Sequence, residues 1–91
     1  MGDRYVLRIV ASARKDLLRI PEPHRQRLRV AIRQLAIEPR PPEIEMLAGR
    51  HDPRQWRIRV GDYRIIYEIQ DVQLLVLVVR LGHRGEVYRL R

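Results

Sequence analysis

The period of the hydrophobic positions changes along the chain, and the change marks the elements. Tyr5 to Val10 alternates loosely and is built from Tyr, Val, Leu and Ile, residues that fit a pleated surface, so it reads as a first strand. Ala13, Leu17, Leu18 and Ile20 follow with charged residues between them, the spacing of a two-turn helix capped by Ser12 and stopped at Pro21. Leu28, Ala31, Ile32, Leu35 and Ala36 then fall at i, i+3, i+4, i+7 and i+8. That stripe predicts a second helix from Glu22 or Pro23 to Ile37, with Arg25, Arg29 and Arg33 on its solvated side. Pro39, Pro41 and Pro42 end it and open an irregular connection to about Gln55, with a short turn of helix expected over Glu43 to Leu47.

From Trp56 onward the period is two. Trp56 to Val60, Tyr63 to Gln70 and Gln73 to Leu81 read as three strands of an antiparallel meander, joined by Gly61-Asp62 and a tight turn near Asp71-Val72. Leu74 to Val79 is apolar at every position, which implies a strand covered on both faces and central in its sheet, with the first strand beside it. The expected class is α+β in the order β-α-α-β-β-β: a four-stranded, mainly antiparallel sheet with an N-terminal helical hairpin packed on one face.

A two-residue turn at Gly61-Asp62 fixes a register, pairing Val60 with Tyr63, Arg59 with Arg64, Ile58 with Ile65, Arg57 with Ile66 and Trp56 with Tyr67. Trp56, Ile58, Val60, Tyr63, Ile65 and Tyr67 then share the packed face. Arg57, Arg59 and Arg64 converge on the other, where Glu68 is the one acidic neighbour on the hairpin. Like charges set opposite one another on a sheet cost stability, so this cluster calls for an anion. Beyond the central strand, Gly82-His83-Arg84-Gly85 bends the chain and is expected to bring His83, Arg84 and Tyr88 near the same sheet edge.

Composition narrows the anion. The chain has 91 residues, 19 Lys+Arg against 11 Asp+Glu and a net charge of +8, enough for one small core and so a single domain over residues 1–91. Lys15 is the only lysine. Guanidinium forks bind phosphate oxygens at two points and stay charged at any working pH, which points to nucleic acid. The absence of cysteine excludes disulfides, thiolate nucleophiles and Cys-ligated zinc, and a reducing cytoplasm is the expected compartment. No apolar run approaches a membrane span, so no membrane partner is expected.

The run Arg57-Ile-Arg-Val-Gly-Asp-Tyr-Arg-Ile-Ile-Tyr-Glu-Ile69 and the run Gly82-His-Arg-Gly-Glu-Val-Tyr88, preceded by Ser12-Ala-Arg-Lys-Asp-Leu-Leu18 and Pro39-Arg-Pro-Pro42, resemble the RelE branch of the RelE/ParE toxins over nearly the whole chain. The resemblance implies a toxin of a type II toxin-antitoxin system, a metal-independent, cofactor-free endoribonuclease cutting mRNA in the ribosomal A site. Its implied partners are a RelB-like antitoxin, forming a hetero-oligomer, and the ribosome with its 16S rRNA. Arg57, Arg59, Arg64, Arg84 and Tyr88 fall on the family's functional positions, and His83 joins them as a candidate base. Arg50, His51 and Arg54 are candidate contacts to ribosomal RNA.

The chain departs from the family on its second strand, Trp56 to Val60, where some members carry lysine. With arginine at 57 and 59, neither residue can serve as a base, and both are assigned to clamping and charge stabilisation. The base is then His83 or Tyr88, with His83 favoured, and Arg84 or a water protonates the leaving oxygen. Other readings are a ParE-like toxin that poisons gyrase without cutting RNA, and a catalytically weak RNA-binding relative.

Overall fold

A computed structural model describes residues 4–47 and 54–85. Its elements are β1 (Val6–Ile9), α1 (Ala11–Arg19), α2 (His24–Ile37), β2 (Glu45–Met46), β3 (Gln55–Val60), β4 (Tyr63–Gln70) and β5 (Leu75–His83). The strands form one five-stranded sheet in the order β1-β5-β4-β3-β2. β5 has the central place expected of it, between β1 and β4, but helices cover only one of its faces and Leu75, Leu77 and Val79 are half-buried; β1 runs parallel to it while every other pairing is antiparallel. The class is the expected α+β.

Two local expectations are corrected. The segment expected as a turn of helix at Glu43 to Leu47 instead supplies β2, a two-residue edge strand whose Glu45 and Met46 sit opposite Arg57 and Trp56. This fifth strand is too short to show any period. Helix α1 starts at Ala11 with no side-chain cap, so Ser12 lies inside its first turn. The chain enters α1 directly from β1: the Val10 N–H is held by the Val78 carbonyl at 3.0 Å, and Val10's own carbonyl accepts the Arg14 N–H at 3.0 Å. At α2 the cap role falls to Glu22, whose carboxylate accepts the Gln26 N–H at 3.1 Å and ion-pairs with Arg25 and Arg29.

The hairpin register matches the expected one pair for pair. Gly61 takes φ +61°, and Gly in the first central position of a two-residue loop is the mark of the type II′ turn, whose twist matches that of the flanking strands. Both helices bury their stripes on the face that the parity assigned. Ala13, Leu17, Leu28, Ile32 and Leu35 pack against Ile65, Tyr67, Val76, Val78 and Leu81, with Trp56, Ile58, Val60 and Tyr63 half-buried around them. Among the described residues no helix is long and apolar enough to cross a membrane.

A polar clasp closes the end of the sheet away from that turn. Buried Tyr67 donates its hydroxyl to the Pro39 carbonyl at 2.8 Å. Arg40 forks onto both carboxylate oxygens of Asp71 at 3.1 and 2.9 Å, with its guanidinium 5.8 Å from the centroid of the Trp56 ring, and Tyr5 donates to Asp71 at 2.6 Å. The Arg40 fork, aided by the Tyr5 hydroxyl, pulls the Asp71 carboxyl down to about 2. The clasp joins the chain ahead of β1, the segment after α2 and the β4–β5 turn.

Candidate functional site

The sheet face opposite the helices carries the cations. On β3, Arg57 sits opposite Ile66 and Arg59 opposite Arg64; on β5, Gly82 lies opposite Arg64 and Arg80 opposite Ile66. Arg64 is therefore flanked by Arg59 on one side and, on the other, by a residue with no side chain. It is only 7% exposed, its Nη1 donates to the Tyr63 carbonyl at 3.3 Å, and its Nε is buried without any hydrogen-bond partner. A guanidinium held this far from water with an N–H unspent is costly unless an anion completes it.

The other expected arginines differ in what they already hold. Arg59 is exposed. Arg57 is ion-paired with Glu45, its Nε donating to Oε1 at 2.6 Å, so the face is partly neutralised by a carboxylate from β2 that lay outside the expected sheet. Arg84 follows β5 directly, exposed, and its N–H donates to the Asp62 carbonyl at 2.9 Å, which ties the tail to the β3–β4 turn. Arg54 is exposed just before β3. Arg50, His51 and Tyr88 lie outside the described residues.

His83 is the correction. It is paired with Tyr63 and shares that residue's side of the sheet, the helix side, with the two rings 5.7 Å apart edge to face. The cause is a one-residue bulge: Tyr67 pairs with Val78 but Ile66 pairs with Arg80, leaving Val79 without an opposite number. Continuing the alternation from Val76 and Val78 without a bulge would put His83 with the arginines and Arg80 against the helices. The bulge exchanges them, adding Arg80, which sequence parity missed, to the arginine face and removing His83 from it.

What remains on that face can clamp and neutralise an oxyanion from several strands at once, and no described group there is a neutral imidazole or amine. Among the described residues no three or more His, Asp or Glu side chains gather as a metal-binding group.

Two helices on a mixed five-stranded sheet give the α+β fold of the RelE/ParE superfamily of toxins. The model for the ParE toxin of type II toxin-antitoxin systems matches residues 7–88, and the chain belongs to that family. It is 28% identical over 88 residues to Toxin RelG of Mycobacterium tuberculosis, covering 93% of this chain and 97% of the relative. Its fold is similar to that of the RelE–RelB complex of Pyrococcus horikoshii, with TM-score 0.79 and 30% identity over 92% of this chain and 99% of that one. It is also similar to isolated Escherichia coli RelE, with TM-score 0.73 and 26% identity over 93% and 92% of the two chains.

Proposed function

We propose that the protein is an mRNA endoribonuclease working without a metal in the ribosomal A site. The observation that carries this reading is Arg64, a cation nine-tenths buried on the arginine face with an unspent Nε–H. In the proposed reaction the ribose 2′-oxygen attacks the adjacent phosphorus in line and the bond to the 5′-oxygen breaks. The products are a 2′,3′-cyclic phosphate and a 5′-hydroxyl. Charge builds on the non-bridging oxygens, where Arg64, Arg59 and Arg57 stabilise it, and Arg84 or a water returns a proton to the leaving oxygen. Because His83 sits on the other side of the sheet, the role of base passes to Tyr88. DNA resists for want of the 2′-hydroxyl.

The same reading gives the chain its partners. Relatives crystallised as RelE–RelB complexes support a RelB-like antitoxin, and a chain of net charge +8 suits an acidic one. Arg54, with Arg50 and His51, is proposed to meet 16S rRNA in the cytoplasm.

The test is induced expression of the chain and of Arg64→Ala, with transcript 5′ ends mapped while translation runs and while it is blocked. Cleavage confined to translated messages is expected, reduced by about 10²–10³ in the variant, the usual cost of losing one transition-state donor. Growth arrest that persists in Arg64→Ala with messages intact overturns the nuclease reading in favour of the gyrase-directed one.

A further inference from the structure

Removed from the arginine face, His83 helps to form a second site. A cavity of about 330 Å³ opens on the helix side of the β3–β4 turn, lined by His24, Arg27, Val60, Asp62, Tyr63 and His83. His24 is the first residue of α2 and Arg27 lies one turn along it, both exposed, while His83 ends β5. The Tyr63 ring lies beside both imidazoles, 5.5 Å from His24 at 39° and 5.7 Å from His83 at 80°. Three ring systems and a guanidinium around a cleft of this size form a platform for one planar ligand carrying an anionic group. Asp62 on the same wall disfavours a bare anion and suits a ligand that also offers N–H donors. A nucleotide whose base bears an exocyclic amino group meets all three conditions.

The cavity adjoins the arginine face at three points along the chain. Arg59 is followed by Val60, Arg64 preceded by Tyr63 and Arg84 preceded by His83. In the first two pairs the arginine takes one face of the sheet and its neighbour the other. A single strand bent over the end of the hairpin would therefore meet the arginines of one face and the rings of the other. We propose that this cavity is a base-binding subsite for single-stranded RNA, taking a cytosine, adenine or guanine nucleotide next to the phosphate held at Arg64. His24 and His83 stack on the base, Arg27 meets its phosphate and Asp62 accepts from its amino group. The subsite rests on the nuclease reading for its role, but its occupancy is measured without cleavage.

The experiment titrates the isotope-labelled full chain with CMP, UMP and a 2′-O-methyl trinucleotide carrying a cytosine, followed by NMR. CMP is expected to give saturable shifts at Gly61, Asp62, Tyr63 and His83 and at both imidazoles. Affinity should fall about tenfold in His24→Ala/His83→Ala, the scale of one base's lost stacking. UMP, which replaces the amino group with a carbonyl, should bind several-fold more weakly, and Asp62→Asn should erase the difference. Both histidines are exposed, so an unchanged amide spectrum certifies the variant's fold. Shifts confined to Arg57, Arg59 and Arg64, equal binding of CMP and UMP, or an unaffected double variant overturns the proposal. A trinucleotide that binds no more tightly than CMP overturns RNA as the occupant in favour of a free nucleotide. Loss of transcript cleavage in Arg64→Ala with no effect of the double variant on binding sinks the subsite alone. A saturable, histidine-dependent CMP site in a chain whose Arg64→Ala still arrests growth sinks the nuclease reading alone.

Discussion

If the protein binds RNA as proposed, Glu45 is the carboxylate that a phosphate displaces to reach Arg57, and replacing it by glutamine measures that competition. Glu45 Oε1 accepts from Arg57 Nε at 2.6 Å, with the two side chains 32% (Arg57) and 56% (Glu45) exposed. A pair this open to water is worth about 0.2–1 kcal/mol, because solvent screens the charges and two long side chains lose freedom. Removing the carboxylate while keeping its shape should therefore tighten binding of an uncleavable 2′-O-methyl RNA by about 1.4- to 5-fold. If Arg57 then meets a phosphate that it formerly shared with Glu45, the slope of log affinity against log salt steepens by up to about 0.7, the increment for one more contact on a single strand. Fluorescence anisotropy across a salt series reads both quantities. Stability should fall by no more than the worth of the pair, since β2 is a two-residue edge strand. An affinity that drops at every salt concentration with an unchanged slope would falsify the competition and show instead that Glu45 holds Arg57 in its binding pose.

Four other outcomes follow from the geometry. Tyr67→Phe removes the bond to the buried Pro39 carbonyl and should cost about 1–3 kcal/mol, seen as a lower urea midpoint with an unchanged denaturant slope. Gly61→Ala meets nothing within 4 Å of the added carbon, so its cost is backbone strain at φ +61° alone, about 1–2 kcal/mol, and Gly61→Asn should cost less. Asp71 has its carboxyl pulled down from 3.8 to about 2, so it contributes stability that is whole above about 3.8 and is lost as pH falls toward 2. The thermal midpoint of the native chain should drop across that window, and that of Asp71→Asn should drop less. Leu74 holds φ +51°, a left-handed backbone that a leucine side chain resists, so Leu74→Gly should raise the thermal midpoint; a fall would show that the side chain's packing outweighs the strain.

The hairpin was readable because alternation, a two-residue turn and one buried face constrain each other. A shift of one residue would have moved Ile58, Ile65 and Tyr67 out of the core, so hydrophobicity sets the faces and the two-residue turn selects the register that puts Arg59 opposite Arg64. The central place of β5 was also readable from its apolar run, although the cover expected on both faces is met by helices on one only. β2 was beyond reach, as two residues carry no period, and with it went the Glu45 carboxylate that pairs with Arg57. The capping expectation failed at Ser12 because a serine before an apolar run is a local signal, whereas the start of α1 is set by where β1 leaves its ladder with β5.

The bulge at Val79 is the feature with the largest consequence, and no residue near it announces it. Val78, Val79 and Arg80 read as continuous strand, with no glycine or proline to mark an irregularity. One extra residue there nevertheless sorts the titratable groups of the C-terminal strand onto two sides. Arg80 joins Arg57, Arg59 and Arg64, concentrating permanent cations that cannot take up a proton. His83 joins His24, Tyr63 and Arg27, concentrating rings beside the turn. A face whose cations are all guanidinium groups stabilises charge well and abstracts protons badly, which fits the proposed nuclease if its substrate arrives already bent into line. Deleting Val79 tests this division directly. Without the extra residue Arg80 follows Val78 in regular alternation and stays opposite Ile66, so Arg80, Leu81 and His83 keep their present faces and the deleted chain should fold and bind RNA as before. Loss of folding or of RNA binding would show that the bulged backbone itself, and not the alternation that follows it, holds the cations and the rings apart.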